Sequence, residues 1–114
     1  MATINDLQNL QDGLSASIKS ILSSYDATQD PAESATLLNQ SHQLAAQMTQ
    51  IETNLFHQQT IQAGATIDQA FALATGFTAQ LTAAAGQLQK ISDTIATAAK
   101  LIGVVSKIIG YLPL

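Results

Sequence analysis

LTAAAGQLQKISDTIATAAKLIGVVSKIIGYL, residues 81–112, sets an apolar or small side chain at Leu81, Ala84, Leu88, Ile91, Ile95, Ala98, Ile102, Val105, Ile109 and Leu112. The steps between them alternate three and four without a break. That is one face of an α-helix and the seam of a coiled coil. A second apolar stripe, Leu101, Val104, Ile108 and Tyr111, adjoins it, and Lys100, Gly103, Lys107 and Gly110 form a narrow strip opposite. So much apolar surface on one helix has to be covered. The spacing predicts Ile102, Val105 and Ile109 as core. Leu101, Val104, Ile108 and Tyr111, bracketed by Lys100 and Lys107, are expected to form an interaction surface.

Upstream of this stretch the period stays helical. Ile4, Leu7, Leu10, Leu14, Ile18, Ile21, Leu22 and Tyr25 mark one face of a helix over about residues 3–25. Asp30-Pro31-Ala32-Glu33 is a strong helix start: Asp30 can cap, Pro31 suits the first helical position, and Glu33 can reach back as in a capping box. The helix it opens is expected over 31–62, with Leu37, Leu44, Met48, Ile51 and Leu55 inward, Ser41 in the slot between, and Gly64 ending it. Thr66-Ile67-Asp68-Gln69 repeats the capping pattern and opens a third helix over 66–85, with Ile67, Phe71, Ala74, Thr78 and Leu81 on its face. A last helix is expected over 87–112. The unbroken phase across Gly86 leaves it either continuous with the third or bent from it. A continuous helix would be roughly 70 Å long, and a compact bundle favours a break near Gly76 or Gly86. No alternation of strand period competes. The fold class is therefore all-α: one antiparallel helical bundle of three or four helices in a single domain, residues 1–114, with a long or kinked C-terminal helix.

The composition narrows the function. Charged residues make up 11% of the chain, against about 25% in a typical soluble domain, while the apolar share is 46%. Such a chain has the apolar content to fold and a surface poorly protected against association. From Thr53 to Gln89 the one charged residue is Asp68. The net charge of −4, with four lysines and no arginine, argues against a nucleic-acid partner, which requires a basic stripe. The absence of cysteine excludes disulfides and Cys-ligated zinc. The opening residues lack the basic and apolar regions of a cleaved signal peptide, so a cytoplasmic location or export by a signal-independent route is expected. No ordinary membrane-spanning helix stands out, because Lys107 interrupts the most apolar run.

Little here carries chemistry. His42 and His57, the two histidines, lie fifteen residues apart on one expected helix, too far apart to share a metal. Phosphate loops, nucleophile elbows, zinc-protease and calcium-loop patterns do not occur. Glu52, Asp68 and Asp93 are isolated carboxylates. No catalytic residue, cofactor, metal or small-molecule substrate is expected. Small secreted helical hairpins with a Trp-x-Gly turn need a tryptophan that this chain lacks. Asp30-Pro31 echoes the helix–Asp-Pro–helix layout of needle-type secretion subunits, but the apolar spacing after it departs from theirs. The expectation is a non-enzymatic interaction protein, in keeping with a small bacterial secreted or secretion-linked protein. It would bind itself, a partner helical protein or a membrane through the apolar C-terminal helix. The alternatives are a structural or adaptor subunit, or a soluble bundle with no membrane role.

Overall fold

In a computed structural model the chain is a compact all-α bundle, 44 × 22 × 17 Å, and the structure describes residues 4–56, 65–85 and 87–110. Among them are four α-helices: α1 (Ile4–Ala27), α2 (Pro31–Phe56), α3 (Ala65–Ala84) and α4 (Ile91–Gly110). A single 3₁₀ turn, Leu88–Lys90, leads into α4. The third and fourth helices are thus separate. Backbone bonds from Gln87 N to Ala84 O (3.2 Å) and from Lys90 N to Gln87 O (3.0 Å) close the tight turns between them. Gly64, Gly86, the histidine at 57 and residues 111–114, including Tyr111, lie outside the described residues.

Asp30 starts α2 as its position before Pro31 implies. Its Oδ1 accepts bonds from the backbone N–H groups of Ala32 (2.8 Å) and Glu33 (3.4 Å), two of the donors a helix start leaves open. Glu33 does not reach back to the Asp30 backbone. The Thr28 hydroxyl donates to Glu33 Oε1 (2.8 Å), and the Asp30 N–H donates to Thr28 Oγ1 (3.2 Å). The box is closed through one extra residue.

Each helix presents a ladder of three- and four-residue steps to a common core. On α1 the ladder is Leu7, Leu10, Leu14, Ser17, Ile21 and Ser24. On α2 it is Leu37, Gln40, Leu44, Gln47 and Ile51, with Ser41 beside it. On α3 it is Ala70, Ala74, Leu81 and Ala84, with Phe77 half-buried between. On α4 it is Ile91, Thr94, Ala98, Leu101, Val105 and Ile108. Burying each Leu or Ile contributes roughly 1.5–3 kcal/mol, and the core holds ten fully buried large apolar side chains, enough to make packing the main source of stability.

The helices meet in a square. α1 packs on α2 and α3, and α4 packs on α3 and α2. Gln11 Nε2 donates to Glu52 Oε1 (2.9 Å), joining the early part of α1 to the late part of α2. Gln40 reaches Ile95 and Gln47 reaches Ile102, so α2 and α4 advance in the same direction. The α1–α3 edge closes at Gly13, where a Cβ would stand 3.1 Å from Thr78 Cγ2. The hydroxyls of Ser17 and Ser20 turn back onto the carbonyls of Gly13 and Ala16, which lets small polar residues sit inside without unpaired donors.

Candidate functional site

The apolar face of α4 is divided differently from what its spacing predicts. Leu101 and Ile108, expected at an interaction surface, are fully buried, as is Val105. Ile102 and Ile109, expected in the core, are half-buried, and so is Val104. Two ladders run through this sequence, sharing Ile91, Ala98 and Val105 and differing by one residue elsewhere. The Ile95–Ile102–Ile109 ladder continues the phase of Leu81 and Ala84 without a break. The turn between the helices resets that phase. The fold then buries Thr94, Leu101 and Ile108 and turns the Ile95–Ile102 flank toward α2. Lys100 and Lys107 are exposed, as is the glycine strip: a Cβ at Gly103 or Gly110 would meet nothing within 4 Å.

Gln40 and Gln47 were not singled out by the sequence reading, because glutamine ordinarily marks a solvated face. Both are more than nine-tenths buried. Gln40 Nε2 donates to the Ile95 carbonyl (3.0 Å), and Gln47 Nε2 donates to the Ile102 carbonyl (3.0 Å) and to Ser106 Oγ (2.9 Å). The signal was present in the sequence: Leu37, Gln40, Leu44, Gln47 and Ile51 keep the three–four step.

His42 is exposed, and among the described residues no group of three His, Asp or Glu side chains is placed to hold a metal. The cleft between the end of α3 and the start of α4, about 390 Å³, is lined by Gln80, Leu81, Lys90, Asp93, Thr97 and Lys100. It is open, and the one carboxylate on its wall, Asp93, shares it with the exposed amines of Lys90 and Lys100. A shallow groove between α1 and α3 carries Asn9, Leu10, Thr75 and Thr78.

The outer side of α3 is distinctive in another way. Among its residues whose burial is described, the exposed ones are Gln69, Ala72, Leu73, Thr75, Gly76, Ala79, Gln80, Thr82 and Ala83, and none is charged; Asp68, in the first turn, is half-buried. Each of the other helices exposes charge: Asp12, Lys19 and Asp26 on α1, Glu52 on α2, and Asp93, Lys100 and Lys107 on α4. Leu73, 52% exposed, stands out from this surface. No described helix is long and apolar enough to cross a membrane. No known family model, curated protein or solved structure matches the chain.

Proposed function

We propose that this protein is a non-enzymatic helical module, two antiparallel hairpins (α1–α2 and α3–α4), that associates with copies of itself through the outer side of α3. The observation that carries this reading is the uncharged α3 surface. In a two-fold contact the same face serves both copies, so each charge on it is desolvated or has to be paired twice over, and a neutral face avoids that cost. Among the described residues, α3 is the helix whose exposed face escapes that penalty. Ala72, Gly76, Ala79 and Ala83 also let two helix backbones come close, and Leu73 gives the contact an apolar anchor. Lys100, on α4, lines the cleft that borders this surface, and Val104 and Lys107 lie farther along the same helix.

Single Lys substitutions at Ala72, Ala79 and Ala83 test the reading. An exposed Ala→Lys change on a helix costs only a few tenths of a kcal/mol, so the monomer stays folded. Multi-angle light scattering is expected to show an oligomer for the wild type and a monomer for Ala79→Lys. Ala46→Lys, on the exposed side of α2, should leave the oligomer intact. A wild type that stays monomeric at millimolar concentration, or Lys variants that all remain oligomeric, would contradict it.

A further inference from the structure

The α3–α4 half and the α1–α2 half share the apolar core, and two edges close around it. One is Gly13 against Thr78. The other is the pair Gln40 and Gln47 on α4. The two glutamines are seven residues apart, as are Ile95 and Ile102, so one register satisfies both amide donors. The acceptors are a different matter. Neither amide oxygen has a hydrogen-bond partner, and neither has the hydroxyl of Thr94, which adjoins Ile95 in the chain. A fourth such atom among the described residues is Ser24 Oγ. Two of the four, the glutamine oxygens, therefore belong to the α2–α4 edge, while Thr94 borders the cleft between α3 and α4. A buried polar atom without a partner favours any arrangement in which it meets water.

We infer that the α2–α4 edge is a built-in opening seam. The bundle parts there before its helices unfold. The parting hydrates Gln40 and Gln47 and uncovers the α4 ladder Ile91, Ala98, Leu101, Val105 and Ile108. The glutamine donors hold α4 in one register when the seam is closed, and the unpartnered oxygens keep the closed form from being too stable. The opening does not depend on the self-association proposed above, which uses the outer side of α3.

Residue-resolved amide hydrogen exchange on the full chain tests the inference, using the wild type, the double variant Gln40→Met with Gln47→Met, and Gln47→Glu. Met has nearly the length and flexibility of Gln and leaves no buried oxygen unpaired. Once parted from α2, α4 keeps less tertiary support for its own backbone bonds and unwinds more readily, so in the wild type the α4 amides of Leu101 and Val105 should exchange at least about tenfold faster than the α1 amides of Leu10 and Leu14, as expected for a sub-global opening. The Met pair should slow α4 exchange by about tenfold or more and close that gap. Gln47→Glu should widen it, because a carboxylate cannot donate to the Ile102 carbonyl. Equal exchange of α1 and α4 in the wild type would overturn the inference, as would a gap that survives the Met pair and is unmoved by Gln47→Glu. If exchange behaves as expected while light scattering finds every variant monomeric, the seam stands and the self-association falls.

Discussion

Replacing Gly13 by Ala measures how tightly α1 and α3 are drawn together. In an unobstructed helix the change stabilises by about 1 kcal/mol, since Gly is that much the poorer helix former. Here the new Cβ would lie 3.1 Å from Thr78 Cγ2, 3.3 Å from Oγ1 and 3.7 Å from Thr78 Cβ. Thr78 cannot easily turn away. Its hydroxyl donates to the Ala74 carbonyl at 2.7 Å, and a β-branched side chain in a helix has few rotamers to spare. The helices must part by a few tenths of an ångström, an overpacking cost of about 1–3 kcal/mol. The net expectation for Gly13→Ala is a loss of roughly 0–2 kcal/mol. With Thr78→Ala in place the two obstructing atoms are gone, and Gly13→Ala should then stabilise by about 0.5–1 kcal/mol. Urea denaturation followed by far-ultraviolet circular dichroism gives the four corners of this double-mutant cycle, with an expected coupling of about 0.5–3 kcal/mol. Gly103→Ala is the control. Nothing stands within 4 Å of its Cβ, so it should stabilise by about 0.5–1 kcal/mol. If Gly13→Ala stabilises the native chain as much as Gly103→Ala does, the close α1–α3 approach is wrong.

Asp30→Ala removes the acceptor for the Ala32 and Glu33 amides and should cost about 0.5–2 kcal/mol by the same denaturation assay. An unchanged midpoint would place the α2 cap elsewhere. Leu101→Ala and Ile108→Ala should each cost about 2–5 kcal/mol, whereas Lys107→Ala should stay within about 0.5 kcal/mol, as thermal or urea melts will show. Aspartate at Leu101 or Ile108 should prevent folding, because the charge would be buried unpaired; aspartate at the half-buried Val104 should leave a folded if weaker domain, readable from the dichroism spectrum.

The helices and the Asp30 cap were legible because they rest on local chemistry. The three–four steps of Leu7, Leu10 and Leu14 and the Asp30-Pro31 start act within a few residues of one another. The capping boxes differ from their spacing: Glu33 accepts from Thr28, and Thr66 lies inside α3, which begins at Ala65. The core of α1 and α2 was legible where it is apolar, and Leu37, Leu44 and Ile51 are buried as their spacing implies. What escaped was set by tertiary packing. Gln40, Gln47, Ser17, Ser24 and Thr94 occupy ladder positions that a hydrophobic pattern reads as gaps. Those gaps hid the true α4 ladder, in which Thr94 stands where Ile95 looked the better core residue. A wide apolar face admits two registers one residue apart. Only the neighbouring helix, here α2 with its glutamines, chooses between them. The small, neutral outer surface of α3 was visible as an uncharged span, but its confinement to one solvent-facing side emerges only once the bundle is assembled.

A dilution series followed by amide nitrogen–proton correlation spectra tests the self-association and its place on the molecule together. On concentration, the amides of Ala72, Gly76, Ala79 and Ala83 on the outer side of α3 are expected to shift or broaden, while those of Ser23 on α1 and His42 on α2 stay fixed. Spectra that do not change with concentration, or changes confined to α1 and α2, would contradict the assignment of the α3 surface as the contact between copies.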